Sequence, residues 1–247
     1  MKPRQSALSR PVAMRLAATE YARCAEAFRA LRPDQWAART DCPAWDVRQI
    51  AAHMLGMAEM AASIRESLRQ QRKATRAGGT FSDALNRLQV DEREDWTGER
   101  ITERYAARAA KAVAGRRRTP GLVRRRTMPQ LQDFNGVQEP WTYGYLIDVI
   151  LTRDPWMHRL DIARATGSAP HLTADHDGVI VADVVAEWAG RHGKDFELAL
   201  TGPAGGAWKA GAGGPGWTLD AIDFCRATSG RPASVTLGEL MNTEVPY

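Results

Sequence analysis

Asp154 and His158 stand four residues apart in a stretch whose pattern predicts a helix, which puts both side chains on one face about a turn from each other. An acid and an imidazole so placed form either an ion pair or two donors to one divalent ion. His53 lies in another predicted helix, on the apolar side marked by Ile50 and Met57. It is either a core histidine with a backbone partner or a third donor, since a buried imidazole without a partner is costly. Two nitrogens and one carboxylate oxygen, with a position left open for water or substrate, describe a catalytic metal site rather than a closed structural one. Zn²⁺ suits such a set, as do Ni²⁺ and Fe²⁺.

The elements that would position these residues are long helices in the first half of the 247-residue chain. Helical spacing predicts a first helix over Ala13–Leu31, ended by Arg32-Pro33, and a second from an Asp46 N-cap to about Gln70. Thr80–Trp96 reads as a short helix plus connector, and a third long helix runs from Thr97 to about Gly115. Met128–Pro140 reads as irregular, with Asn135-Gly136 as a turn signal. The fourth long helix spans Trp141 to Gly167, a suitable glycine for a helix end. These four predict a four-helix bundle over residues 1–170. Residues 171–247 predict a small α+β domain: a helix from Ala174 to about Arg191, short strands at Phe196–Leu200, Ala207–Lys209 and Trp217–Leu219, and a helix from Asp220 closed by Gly230. Gly211–Gly216 lacks the lysine and hydroxyl residue of a phosphate loop and is read as a hairpin turn.

Charge and cysteine usage exclude other classes. The net charge of +5 belongs to two runs, Arg116–Arg118 and Arg124–Arg126, without which the balance is −1. They flank Thr119-Pro120-Gly121 and read as an exposed, solvated loop without the interleaved aromatics that stack bases, so no nucleic-acid partner is expected. Cys24, Cys42 and Cys225 are too few and too scattered for a disulfide framework or a zinc ribbon. With no signal-like apolar stretch behind the N-terminal charges and no run of about 20 apolar residues, the expectation is a cytoplasmic protein without a membrane partner, monomeric or homodimeric. His171, His176 and His192 form no second group in the sequence, and Trp45, Trp141 and Trp156 line a pocket or fill the core.

The segment Cys42-Pro43-Ala44-Trp45-Asp46-Val47-Arg48-Gln49-Ile50-Ala51-Ala52-His53-Met54-Leu55-Gly56 resembles the first metal motif of the mycothiol-dependent maleylpyruvate isomerase family, within the DinB-like helical bundles. Thr152-Arg153-Asp154-Pro155-Trp156-Met157-His158-Arg159-Leu160-Asp161 is similar to its second. Leu200-Thr201-Gly202-Pro203 through Gly230-Arg231-Pro232 resembles the α+β domain, related to sterol carrier proteins, that follows the bundle in that family.

The resemblance implies that His53, Asp154 and His158 hold a divalent metal, Zn²⁺ first among the candidates, and that a low-molecular-weight thiol, mycothiol in the family, is the cofactor. It further implies that Asp161 orients His158 or moves a proton and that Arg231, with Arg226 as the nearby alternative, pairs with a substrate or cofactor carboxylate. The family's glutamate is replaced here by Asp154, one methylene shorter. The expected function is thiol transfer to, or isomerisation of, a small electrophile. The rival is a metal-stabilised protein that binds a small molecule without turnover.

Overall fold

Pro11 lies in the first turn of α1 (Arg10–Arg29), where its missing N–H costs no helical bond. The chain is described by a computed structural model at residues 2–134, 136–233, 238 and 242–247. It divides into two compact units, Met1–Ala169 and Pro170–Tyr247.

In the first unit α1 and α2 (Val47–Ala62) each pack on α5 (Gly98–Arg118) and α8 (Leu151–Thr166), the arrangement of a four-helix bundle. Its core joins Phe28, Ile50, Leu55, Ile101 and Tyr105. Helices α2 and α5 approach so closely that a Cβ on Gly115 would lie 2.0 Å from the carbonyl oxygen of Ala61.

The predicted second helix is two helices. It stops at Ser63, whose hydroxyl accepts the Glu66 N–H at 3.3 Å and caps α3 (Ile64–Ala77). With α4 (Phe81–Asp91), α3 forms a hairpin on α2. An ion cluster holds its outer face: Arg69 bridges Glu66 and Glu92, and Lys73 joins Glu92 at 2.7 Å. Hydrogen bonds from Arg69 lower the Glu92 carboxyl from 4.5 to about 2, with partial burial opposing and Lys73 assisting. A carboxyl depressed in the folded state stabilises above its unfolded value and ceases to as pH falls through its folded one. Denaturant titrations of the metal-free protein are therefore expected to show stability falling from about pH 4.5 to about 2. The fall should be shallower in Arg69→Met, and identical slopes would refute the assignment.

The arginine-rich segment is not the exposed loop that its charge suggests. Helix α5 continues to Arg118, α6 (Gly121–Arg124) follows, and Arg116 and Arg124 are buried, the latter paired with Asp148, while Arg117, Arg118, Arg125 and Arg126 face solvent. Helix α7 (Tyr143–Tyr145) runs into a π-helical turn, Leu146–Ile150, and then α8. In that turn the Leu151 N–H bonds the Leu146 carbonyl in place of that of Ile147, its usual helical acceptor. Pro155, inside α8, has no N–H to offer Leu151. Arg116 serves both carbonyls, with Nε and Nη2 on the Ile147 oxygen at 2.9 and 2.6 Å and Nη1 on the Leu151 oxygen at 2.8 Å. Gly167 ends α8 at φ 67°, as expected. The irregular stretch holds a small hairpin, β1 (Gln132–Phe134) with β2 (Val137–Glu139); Gly136 has φ 75°, and Asn135 lies outside the described residues.

In the second unit, a π-helical turn (Ala174–Gly178) leads into α9 (Val179–His192), and β3 (Phe196–Thr201) turns Phe196, Leu198 and Leu200 inward. Trp188 packs edge-on to Phe196 and Phe224. The sheet order is β4-β3-β5, with β4 (Gly206–Ala210) antiparallel and β5 (Gly216–Asp220) parallel to β3. Gly211–Gly216 is thus no hairpin turn: β4 and β5 are not neighbours, and the run carries the chain across β3. Asp220 caps α10 (Ala221–Thr228) through the N–H groups of Ile222 and Asp223.

Candidate metal centre

Asp46 opens α2 with a reciprocal cap: its carboxylate accepts the Gln49 N–H at 2.8 Å, and the Gln49 side-chain oxygen accepts the Asp46 N–H at 2.9 Å. That start fixes the phase of the helix, and His53 falls on its buried side, 3% exposed. On α8, the four-residue spacing brings Asp154 and His158 to the same place. His53 Nε2 and His158 Nε2 lie 3.3 and 3.5 Å from the same atom, Asp154 Oδ1. One donor atom from each of the three residues lies within 4.8 Å of the others.

The second nitrogens decide what this cluster can hold. His53 Nδ1 is 2.8 Å from Gln89 Oε1, and His158 Nδ1 is 3.2 Å from a carboxylate oxygen of Asp161. With its proton on Nδ1, bonded to that acceptor, each imidazole turns a bare Nε2 lone pair toward Asp154 Oδ1. Two lone pairs and a carboxylate oxygen then converge in a buried space, where they repel one another until a cation lies between them. The donor set fits a divalent ion, borderline in softness and bound by imidazole and carboxylate.

Asp161 is fully buried and also accepts the Cys42 thiol at 3.6 Å. Cys42, His158 and Asp161 form a second set of atoms close enough to share an ion, but it uses the face of His158 that the carboxylate already holds. The loop before α2 is tied by Thr40 Oγ1 to the Trp45 carbonyl at 2.8 Å, and the Trp45 ring lies 5.1 Å from His53 and 6.1 Å from His158. Trp141 and Trp156 are buried in the bundle.

The structure thus brings together His53, Asp154, His158 and Asp161. Arg231 belongs to the second unit, where its N–H bonds the Arg226 carbonyl at 3.0 Å after Gly230, at φ 72°, has ended α10. Arg226 is buried and donates to the Pro232 carbonyl at 3.0 Å. His171, His176 and His192 enter neither group of donors found among the described residues. Sequence reasoning missed Gln89, because a neutral amide leaves no mark in a charge or spacing pattern.

Four packed helices with a two-histidine, one-carboxylate set between the second and the last define a helical bundle able to hold a divalent ion. The family model described as "Mycothiol maleylpyruvate isomerase N-terminal domain" matches residues 17–163, more than half of the chain, and the chain belongs to that family. Its fold is similar to that of the crystal structures of the mycothiol-dependent maleylpyruvate isomerase and of a histidine-to-alanine mutant of it. Each has a TM-score of 0.60 and 14% identity, over 97% of this chain and 95% of that chain. No curated protein matches the sequence. No helix among the described residues is long and apolar enough to cross a membrane.

Proposed function

We propose that this protein is a metal-dependent enzyme of the cytoplasm that uses a low-molecular-weight thiol, mycothiol, to transform a small electrophile by thiol transfer or cis–trans isomerisation. The convergence of two bare Nε2 atoms and one carboxylate oxygen carries the reading, and family membership supports the choice of thiol. His53, Asp154 and His158 would hold the ion, with Zn²⁺ the first candidate. When bound, such an ion supplies the Lewis acidity that stabilises a thiol as its nucleophilic thiolate at neutral pH.

The chain's own residues do the rest. Asp161 fixes the ring of His158 and balances charge behind it. Trp45 covers the imidazoles and limits water on that side. Asp154 is the most exposed of the three donors and marks the open side, from which thiol and electrophile would enter. Arg231 keeps the role that the resemblance gives it, pairing with a carboxylate of substrate or thiol.

The test is incubation of zinc-loaded protein with mycothiol and a panel of electrophiles that includes maleylpyruvate, read by loss of free thiol, adduct mass and isomer ratio. The expected result is turnover that requires both metal and thiol. Zinc-loaded protein that binds the thiol and converts no member of the panel would overturn the enzymatic reading in favour of a binding protein.

A further inference from the structure

Gln89 does more than accept one proton, because it is the middle of a directed chain of amides. Gln70 and Gln89 are both fully buried, on α3 and α4. The chain begins at two groups that can only accept, the Gly56 carbonyl and the Glu66 carboxylate. Gln70 Nε2 donates to them at 3.3 and 2.9 Å. That leaves Gln70 Oε1 to accept, which it does from Gln89 Nε2 at 2.9 Å. The sulfurs of Met57 and Met60, 3.2 and 3.4 Å from Gln89 Nε2, are acceptors as well, so the amino end of Gln89 is fixed on two independent grounds. Gln89 Oε1 must then accept, and His53 Nδ1 faces it at 2.8 Å.

The helix backbone shapes the slot in which this happens. Gly56 lies three residues after His53, and a Cβ there would come within 2.5 to 2.8 Å of the Cγ, Cβ and Cδ atoms of Gln89. Any larger residue at 56 pushes the amide off its line to the imidazole.

We infer that Gln70 and Gln89 are positioning residues: together they form a one-way hydrogen-bond relay that holds His53 as the Nδ1–H tautomer and so delivers a bare Nε2 to the metal. The inference rests on the metal reading of the site. Asp161 does the same work for His158 from within α8, so the two histidines are oriented by different means, a carboxylate for one and a relay of neutral amides for the other. The amides bring no charge to balance the ion. The α3–α4 hairpin thereby acts on a ligand that belongs to neither of its helices.

The experiment has two readouts. Long-range proton–nitrogen correlation NMR of the metal-free protein at about pH 8, where imidazole is neutral, reports the His53 tautomer. Chelator competition reports the affinity for Zn²⁺ alone. Wild-type protein is expected to show the Nδ1–H form. Gln89→Met is expected to show a tautomer mixture and roughly 10–100-fold weaker zinc binding, the usual cost of losing an outer-shell partner. Gln89→Glu keeps an acceptor at Nδ1 and is expected to return the Nδ1–H tautomer, while its second oxygen, set against Gln70 Oε1 and the Met57 and Met60 sulfurs, lowers stability.

An Nε2–H tautomer in the wild type overturns the relay, whatever the variants do. So does Gln89→Met protein that unfolds cooperatively like the wild type and matches it in tautomer and affinity. Wild-type protein that shows the Nδ1–H form yet takes up no zinc overturns the metal reading instead, and with it the relay's purpose.

Discussion

His158→Ala and His53→Ala are each expected to abolish stoichiometric zinc uptake, measured by elemental analysis after dialysis and by chelator competition. The loss should exceed the roughly 10–100-fold penalty for an outer-shell partner, because a three-donor site reduced to two retains neither its charge balance nor its geometry. Asp161→Asn, which leaves all three donors in place, is expected to fall within that range. The ordering is the informative part. A helix-surface ion pair between Asp154 and His158 would make the His53 variant irrelevant to metal. A full equivalent of zinc in both alanine variants would end the metal assignment.

The second large effect is on stability. Arg116→Met removes the donors for the Ile147 and Leu151 carbonyls and the 2.6 Å bond to Thr152 Oγ1. At about 1–3 kcal/mol for each buried group left unsatisfied, the variant is expected to lose roughly 3 kcal/mol or more. For a unit of this size that lowers the melting temperature by roughly 10 °C. Arg117→Met, next in the chain and exposed, is expected to stay within about 0.5 kcal/mol of wild type. Equal effects of the two would show that Arg116 holds nothing. Because Asp154 follows about one turn after Leu151 and two after Ile147, Arg116→Met is also expected to weaken zinc binding in the fraction that remains folded.

These two expectations differ in how far the sequence announces them. The meeting of three candidate donors was legible because helical period is a strong signal: a four-residue spacing placed Asp154 with His158, and the flanking motifs brought in His53 from another helix. The bundle was legible for the same reason. Arg116 was not. Six arginines in two runs look solvated, and nothing local separates Arg116 and Arg124, the two that are buried, from the rest. For Arg116 the separating fact lies nearly forty residues on, where Pro155 offers Leu151 no N–H, a π-helical turn diverts the usual donor of Ile147, and a long, forked side chain reaches both carbonyls.

The break at Ser63 carried a signal, Ser63-Ile64-Arg65-Glu66, that reads as a helix start. An unbroken run of good helix formers on both sides masked it. Gln70 sat at the predicted end of that merged helix, so its bond to Gln89, and through it the link to His53, could not be seen. The glycine run in the second unit failed for another reason: a short turn and a short crossover have the same composition, and only strand order tells them apart.

The α3–α4 hairpin is the part a designer would trim first in reducing this chain to a minimal bundle, since it donates no ligand and adds no long helix. Such a miniature would keep every candidate donor atom and lose the hydrogen bond that holds one of them. A scaffold built for metal chemistry on this plan therefore has six helices as its working minimum, and a graft of the three donors onto a bare four-helix frame should import the two buried glutamines and the glycine slot along with them.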